Sequence, residues 1–296
     1  MSYHPDCVAV GLDASRFDQH VSNDALELEH GVYLRVYNNN TKLIRLLKAQ
    51  IDNHCTLTSA DAKLEWSTVG GRMSGDMNTS LGNVMLSVLM LNALKDELGN
   101  GMTFINDGDD CVCFMSRVHL RSFMARVTAF YLERGFTMKV EKPVDILEHV
   151  EFCQSKPVWF PDGYRMIRDP NKVIRQDSLY IGRKRKQDES KWFYGVGYCS
   201  LKAHAGCPIL QSHSQALMRL GQAHKVKMSV FENGDSGHAR RAAQEPRAAK
   251  AVVVDDRTRA SFFLAYGFDA THQRGVERVL DTAVLAASSA PTELLL

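Results

Sequence analysis

Two groups of carboxylates stand where acid chemistry can be done. Asp13 ends a short apolar run, CVAVGL at residues 7–12, and Asp18 follows five residues later. Asp109 and Asp110 close the segment INDGDD, whose Asp107-Gly108 pair signals a tight turn. Brought together, Asp13, Asp109 and Asp110 repel one another unless a cation lies between them. Mg²⁺ prefers oxygen ligands and is typically held by one or two carboxylates plus substrate phosphates. Two such ions about 3.5–4 Å apart can activate an attacking hydroxyl and stabilise a leaving oxygen. Between the two acidic groups lies a glycine-rich stretch, Gly70-Gly71-Arg72-Met73-Ser74-Gly75-Asp76, just before a strongly periodic segment. Amide groups at such a helix start offer a place for phosphate or ribose. Each part has a plainer reading alone: a solvated turn, helix-capping acids, a flexible lead-in.

These side chains need elements that bring them together. Residues 7–12 read as a buried strand, and an open α/β sheet places functional groups at strand ends. Residues 41–54 look helical, with Leu43, Leu46, Leu47 and Ile51 on one face. Residues 55–69 read as a hairpin turning near 59–62. Residues 78–98 form a strong helix on Leu81, Val84, Met85, Val88, Leu91, Leu94 and Leu98, stopped by Gly99. Short strands at 102–105 and 111–115 flank Asn106–Asp110, predicting a β-hairpin with acids at its tip. An amphipathic helix follows at 118–134 (Leu120, Phe123, Met124, Val127, Phe130, Tyr131), then a strand at 136–140 and a strand pair at 152–160. The order describes an open α/β sheet covered by helices. A soft domain boundary falls near Pro161–Asp162, after which the pattern is mainly helical, clearest at 208–224, with a small, polar, basic stretch at 234–250.

The chain has 296 residues, enough for two cores. Residues 1–160 carry 15 Lys/Arg against 20 Asp/Glu, and residues 161–296 carry 21 against 14. An acidic first half suits cations and a basic second half suits a polyanion such as nucleic acid. The seven cysteines (Cys7, Cys55, Cys111, Cys113, Cys153, Cys199, Cys207) form no regular framework, which favours a reducing compartment. Cys111 and Cys113 alternate on a strand and are expected to be buried thiols. Cys199, His204, Cys207 and His213 are zinc-ligating types at no standard zinc spacing. The run Arg183-Lys184-Arg185-Lys186 suits either an RNA backbone or a solvated turn. No secretory signal and no membrane-spanning run is expected.

Taken in order, GLDASRFDQH, GGRMSGDMNTSLGN and INDGDD resemble the first three motifs of positive-strand RNA virus RNA-dependent RNA polymerases, most closely the tombusvirus and carmovirus group. In that family the middle motif reads Ser-Gly, then Thr, then Asn; here these are Ser74, Gly75, Thr79 and Asn83. GFTMKVEK at 135–142 looks like the fourth motif and EFCQSK at 151–156 like the fifth. Segments 197–212 and 259–273 are similar to thumb segments of the same viruses.

The resemblance implies a right-hand polymerase: an α/β palm with an antiparallel sheet over 1–160, holding a fingers-side insertion at about 30–72, and a mainly α-helical thumb over 161–296. It implies that Asp13 and Asp109, supported by Asp110, bind Mg²⁺ (or Mn²⁺). Lys139, or else Lys142, protonates the leaving pyrophosphate. Asp18, Ser74, Gly75, Thr79 and Asn83 hold the ribonucleoside triphosphate, and Cys153, Gln154, Ser155 and Lys156 hold the primer or nascent strand. Implied partners are an RNA template, nascent RNA and ribonucleoside triphosphates. Only twelve residues precede Asp13, so most of the fingers is expected from elsewhere: a longer polypeptide or a partner replicase protein. The isolated chain is then expected to have little activity. A partner would recruit it to membrane-bound replication complexes in the host cytoplasm. Two other readings stay open, a non-catalytic RNA-binding fragment of the same fold and a reverse transcriptase, against which Ser74, Gly75, Thr79 and Asn83 beside Asp18 argue by favouring ribonucleotide selection.

Overall fold

A computed structural model describes residues 6–179, 186–221 and 248–282. The chain divides into two compact units, one ending at Cys153 and one beginning at Gln154.

The first unit is built on a four-stranded sheet in the order β4-β5-β1-β6. Its strands are β1 (Cys7–Ala14), β4 (Thr103–Asp107), β5 (Asp110–Ser116) and β6 (Met138–Val140), every pairing antiparallel. Alternation along a strand sends neighbouring side chains to opposite faces. Val8, Val10, Leu12 and Ala14 of β1 and Cys111, Cys113 and Met115 of β5 enter one core. There they meet α2 (Asn23–Val36), α4 (Thr79–Leu98) and α5 (Arg117–Leu132) through Leu26, Leu86, Leu91, Leu94, Phe123, Val127, Phe130 and Tyr131. The opposite face is covered in part: Ala9, Val112 and Phe114 pack under Val144, Leu147, Val150 and Phe152. Cys111 and Cys113 are the buried free thiols that their spacing predicts, with sulfurs 3.9 Å apart. Phe130 is fully buried, with the Arg134 guanidinium 3.5 Å above its ring. Phe130→Ala is expected to cost about 3–5 kcal/mol, read as a lowered urea midpoint at unchanged slope.

Two short helices, α1 (Phe17–His20) and α3 (Thr41–Lys48), and the hairpin β2 (Asp52–Thr58) with β3 (Lys63–Val69) complete this unit. The helix expected over 41–54 stops at Lys48. The Ile51 carbonyl accepts from Gly70 N at 2.8 Å and the Gln50 carbonyl from Asn53 Nδ2 at 3.1 Å. Those carbonyls serve the base of the hairpin, so the helical ladder cannot continue. Helix α4 begins and ends as its pattern predicts, with Gly99 in the left-handed cap at φ 58°. The buried face differs: Leu81 is exposed, while Gly82, Asn83, Leu86 and Ser87 are buried. Helix α2 has no counterpart in the sequence reading. Ser22 caps it by accepting from Ala25 N at 3.2 Å, and it buries Leu26, Glu29 and His30.

The second unit opens with the hairpin β7 (Ser155–Phe160) and β8 (Gly163–Arg168). Pro161–Asp162, the soft boundary read from sequence, is the tip of that hairpin rather than a break between units. The unit continues with α6 (Pro170–Asp177), α7 (Lys186–His204), α8 (Leu210–Leu220), α9 (Asp256–Tyr266) and α10 (Ala270–Thr282). Val158, Phe160, Ile167, Val173, Leu210, Phe262 and Leu280 form its core. Residues 183–185 of the basic run and 234–247 of the polar segment lie outside the described residues.

Candidate active site

The register of the sheet decides which acids meet. Asp13 at the end of β1 is directly opposite Asp110 on β5 and directly opposite Lys139 on β6. All three lie on the face turned away from the helical core. The β4–β5 connection has two central residues, Gly108 and Asp109, because Asp107 pairs with Asp110. Gly108 takes φ 79°, a value that glycine adopts without steric cost and that first-position turn geometry requires. Asn106 braces the tip: its side chain accepts from Gly108 N at 3.1 Å and donates to the Gly108 carbonyl at 2.9 Å and to Ser87 Oγ at 2.8 Å. Ala14 N donates to the Asp109 carbonyl at 3.3 Å, which brings the tip against the end of β1.

Electrostatics at this point are one-sided. Burial pushes the Asp110 carboxyl above its ordinary range, and Asp109, Asp13, Asp107 and Glu151 push it further the same way. Glu141 is raised too, chiefly by burial and by Glu151. The Glu141 carboxylate lies across Gly11, where an added Cβ would sit 2.1 Å from Oε2. Lys139 Nζ stands 3.8 Å from Asp13 Oδ2, and β6, which carries Lys139, ends at Val140, two residues before Lys142. As the side chains stand, no three His, Cys, Asp or Glu among the described residues close around a common point. The donor set is nevertheless all oxygen and strongly negative, which suits a hard divalent cation such as Mg²⁺ or Mn²⁺ and not a soft one.

Beside these acids is a polar group built from Asp18, Ser74 and Asn83. Asn83 Nδ2 donates to Asp18 Oδ1 at 2.6 Å, and Ser74 Oγ donates to Asp18 Oδ2. Thr79 Oγ donates to the Met73 carbonyl at 3.0 Å and closes the loop that carries Ser74 and Gly75. Gly75 has φ 106°. An added Cβ at Gly108 would come within 3.2 Å of Asn83 Cβ, so the acidic tip and this group adjoin. Asn83 Oδ1 is buried and has no hydrogen-bond donor.

The structure thus brings together Asp13, Asp109, Asp110 and Lys139, and next to them Asp18, Ser74, Gly75, Thr79 and Asn83. Cys153 joins the same neighbourhood: its thiol donates to Asp107 Oδ2 at 3.6 Å and is pushed up to about 12 by burial and then by the acids. Gln154, Ser155 and Lys156 belong to the second unit. There Lys156 Nζ donates to the Ala265 carbonyl at 3.2 Å. Sequence reasoning missed Asn106 and Ser87; an Asn two residues before a turn glycine is the signal that could have found the first.

The zinc-ligating types of the second unit do not converge. His204 Nδ1 pairs with Ser200 Oγ at 2.9 Å and His213 Nε2 with Ser178 Oγ at 3.1 Å. His213 is buried, and burial holds its imidazole down to about 4 from an ordinary 6.5. Above pH 6.5 it is neutral folded or unfolded. Between 6.5 and about 4 the unfolded chain takes a proton that the folded chain refuses, so stability falls with pH across that window. The loss is expected to reach about 3 kcal/mol. His213→Gln should remove it, measured as the difference in denaturant unfolding between pH 7 and pH 4.5.

No described helix is long and apolar enough to cross a membrane. Comparison with known proteins shows the family. The family profile described as "Viral RNA dependent RNA polymerase" matches residues 2–288. The "RNA-directed RNA polymerase" of Tobacco necrosis virus (strain A) is 40% identical over 277 residues, covering 93% of this chain and 38% of that protein. The "Putative RNA-directed RNA polymerase" of Barley yellow dwarf virus (isolate MAV) is 36% identical over 280 residues, covering 95% and 32%. The "RNA-directed RNA polymerase" of Groundnut rosette virus (strain MC1) is 37% identical over 275 residues, covering 93% and 32%. The chain therefore spans about a third of the length of these relatives. Because the profile covers nearly the whole chain and these relatives are 36–40% identical over more than nine-tenths of it, the chain belongs to the viral RNA-dependent RNA polymerases.

Proposed function

We propose that this chain carries the catalytic portion of an RNA-directed RNA polymerase, adding ribonucleotides to an RNA 3′-hydroxyl on an RNA template of a positive-strand virus. The first unit is then the palm and the second the thumb. The observation that carries this reading is the register: Asp13 faces Asp110 across one strand pair and Lys139 across the other, with the Asp18–Asn83–Ser74 group alongside. Asp13, Asp109 and Asp110 would hold Mg²⁺ or Mn²⁺, which when bound polarises the reacting phosphate and lowers the pKa of the attacking hydroxyl. The primer 3′-hydroxyl gives up its proton to water, its oxygen bonds to the α-phosphorus, the α-phosphorus–oxygen bond to the β-phosphate breaks, and pyrophosphate leaves. Lys139, beside Asp13, supplies a proton to the departing oxygen. Asp18 is held by two donors and presents its carboxylate to the sugar, and Asn83 Oδ1 accepts from a ribose hydroxyl. A deoxynucleotide leaves those groups unpaired, which is the physical basis of sugar choice.

The test is incorporation of labelled ribonucleotides on a primed RNA template. Metal-dependent addition, weak in the isolated chain but measurable, with deoxynucleotides disfavoured, is the expected result. Asp18→Ala should narrow the preference for ribonucleotides by about 10²-fold. A second reading, RNA binding without catalysis, is favoured by the acids not closing on a common point as they stand. It predicts RNA retention on a filter with no addition at any metal concentration.

A further inference from the structure

Beneath the loop that carries Ser74 and Gly75 lies a buried carboxylate. Glu29, on α2, is fully buried, and its partner Arg72 is 4% exposed. Arg72 Nη2 donates to Glu29 Oε2, and Arg72 Nη1 reaches Oε1 at 3.5 Å. Asn78 Nδ2 and the Tyr33 hydroxyl each donate to Glu29 Oε1 at 2.8 Å. Gln50 Nε2 donates to Asn78 Oδ1 at 2.7 Å, which fixes the Asn78 amide in turn. The pair fits because residue 82 is glycine: an added Cβ would lie 2.4 Å from Glu29 Oε1 and 2.6 Å from Arg72 Nη2.

The placement of the two donors along the chain gives this cluster a consequence. Arg72 enters the loop two residues before Ser74, and its own amide donates to the Asp18 carbonyl at 2.8 Å. Asn78 leaves the loop one residue before Thr79, where α4 begins. Both stems are tied to one carboxylate, while Met77 between them is fully exposed. Burial makes the ties strong in combination, because releasing one partner leaves a charge in a dry interior.

We propose that Glu29 is a positioning residue for sugar recognition, its carboxylate holding both stems of the 72–78 loop so that Ser74 and Asn83 meet Asp18 together. This rests on the polymerase reading above. Glu29 touches no reacting atom and acts through Arg72 and Asn78.

Glu29→Leu/Arg72→Met/Tyr33→Phe removes the clamp and leaves no buried charge or hydroxyl without a partner, a replacement of the kind that buried ion pairs tolerate. Asn78→Ala removes one tie and keeps the ion pair. Hydrogen exchange is followed on the purified chain, with the amides of α5 as the internal control. The expected result is exchange of residues 72–79 faster by about tenfold or more, with α5 unchanged. In primed-template incorporation, both variants are expected to lose about 10–100-fold in preference for ribo- over deoxynucleotides. That loss should fall on KM for the ribonucleotide more than on kcat. Unchanged exchange at 72–79 in the folded triple variant overturns the proposal. So does faster exchange with sugar preference intact. Absence of any incorporation by the unsubstituted chain counts against the polymerase reading alone, and the exchange data then decide the clamp.

Discussion

Asp13→Asn is expected to cut metal-dependent nucleotide addition by at least about 10³-fold, equivalent to roughly 4 kcal/mol of barrier, with the melting temperature left almost where it was. The two halves of that expectation have one origin. Asp13 sits opposite Asp110, and like charges directly opposed across a strand pair disfavour the fold. Its compensating contact, Lys139 at 3.8 Å, joins two largely solvated side chains and contributes little. Asn keeps the shape and loses the charge that a hard cation needs, so stability should move by no more than about 0.5 kcal/mol. A Mn²⁺ titration followed by electron paramagnetic resonance gives the independent check: the variant should lose the tightest class of bound ion. Addition within tenfold of the unsubstituted chain would remove Asp13 from the reaction.

Gly82→Ala is expected to destabilise the first unit by about 3 kcal/mol, the reverse of the usual sign. In an ordinary helix interior alanine is better than glycine by about 1 kcal/mol. Here the methyl would occupy space already filled by Glu29 and Arg72. Both groups are at the ends of flexible side chains, yet neither can retreat without separating a buried ion pair, a disruption that costs about 3–5 kcal/mol. For a unit of this size the melting temperature should drop by roughly 6–12 °C. Differential scanning calorimetry of the two proteins side by side reads this directly, and a rise in melting temperature would show that the space under α4 is more forgiving than its geometry.

The parts legible in the sequence were those governed by local rules. The apolar run before Asp13, the Asp-Gly turn, the long periodic helix ended by Gly99 and the amphipathic helix over Phe123–Tyr131 follow from periodicity and turn chemistry. The adjacency of Asp13, Asp110 and Lys139 needed strand pairing, which periodicity does not contain; order and family resemblance supplied it. Helix α2 was missed because two of the three residues it buries are Glu29 and His30. A pattern search for apolar stripes is blind to a stripe that is charged. The first half of α4 was misread in a similar way: Leu91 and Leu94 are buried as expected, but Gly82, Asn83 and Ser87 are inside in place of Leu81, Val84 and Met85. Their reason for being inside lies on other elements: Glu29, Arg72, Asp18 and Asn106.

The β2–β3 hairpin carries a practical consequence. Leu57, Leu64 and Trp66 share one side of a ribbon that has only two strands, and all three are exposed. Each strand also keeps one unzipped margin of amides and carbonyls. Concentrated stocks of this chain should therefore stick to themselves and to plastic. Light scattering across a dilution series belongs ahead of any rate measurement, and a Leu57→Lys/Leu64→Glu surface pair is the natural remedy.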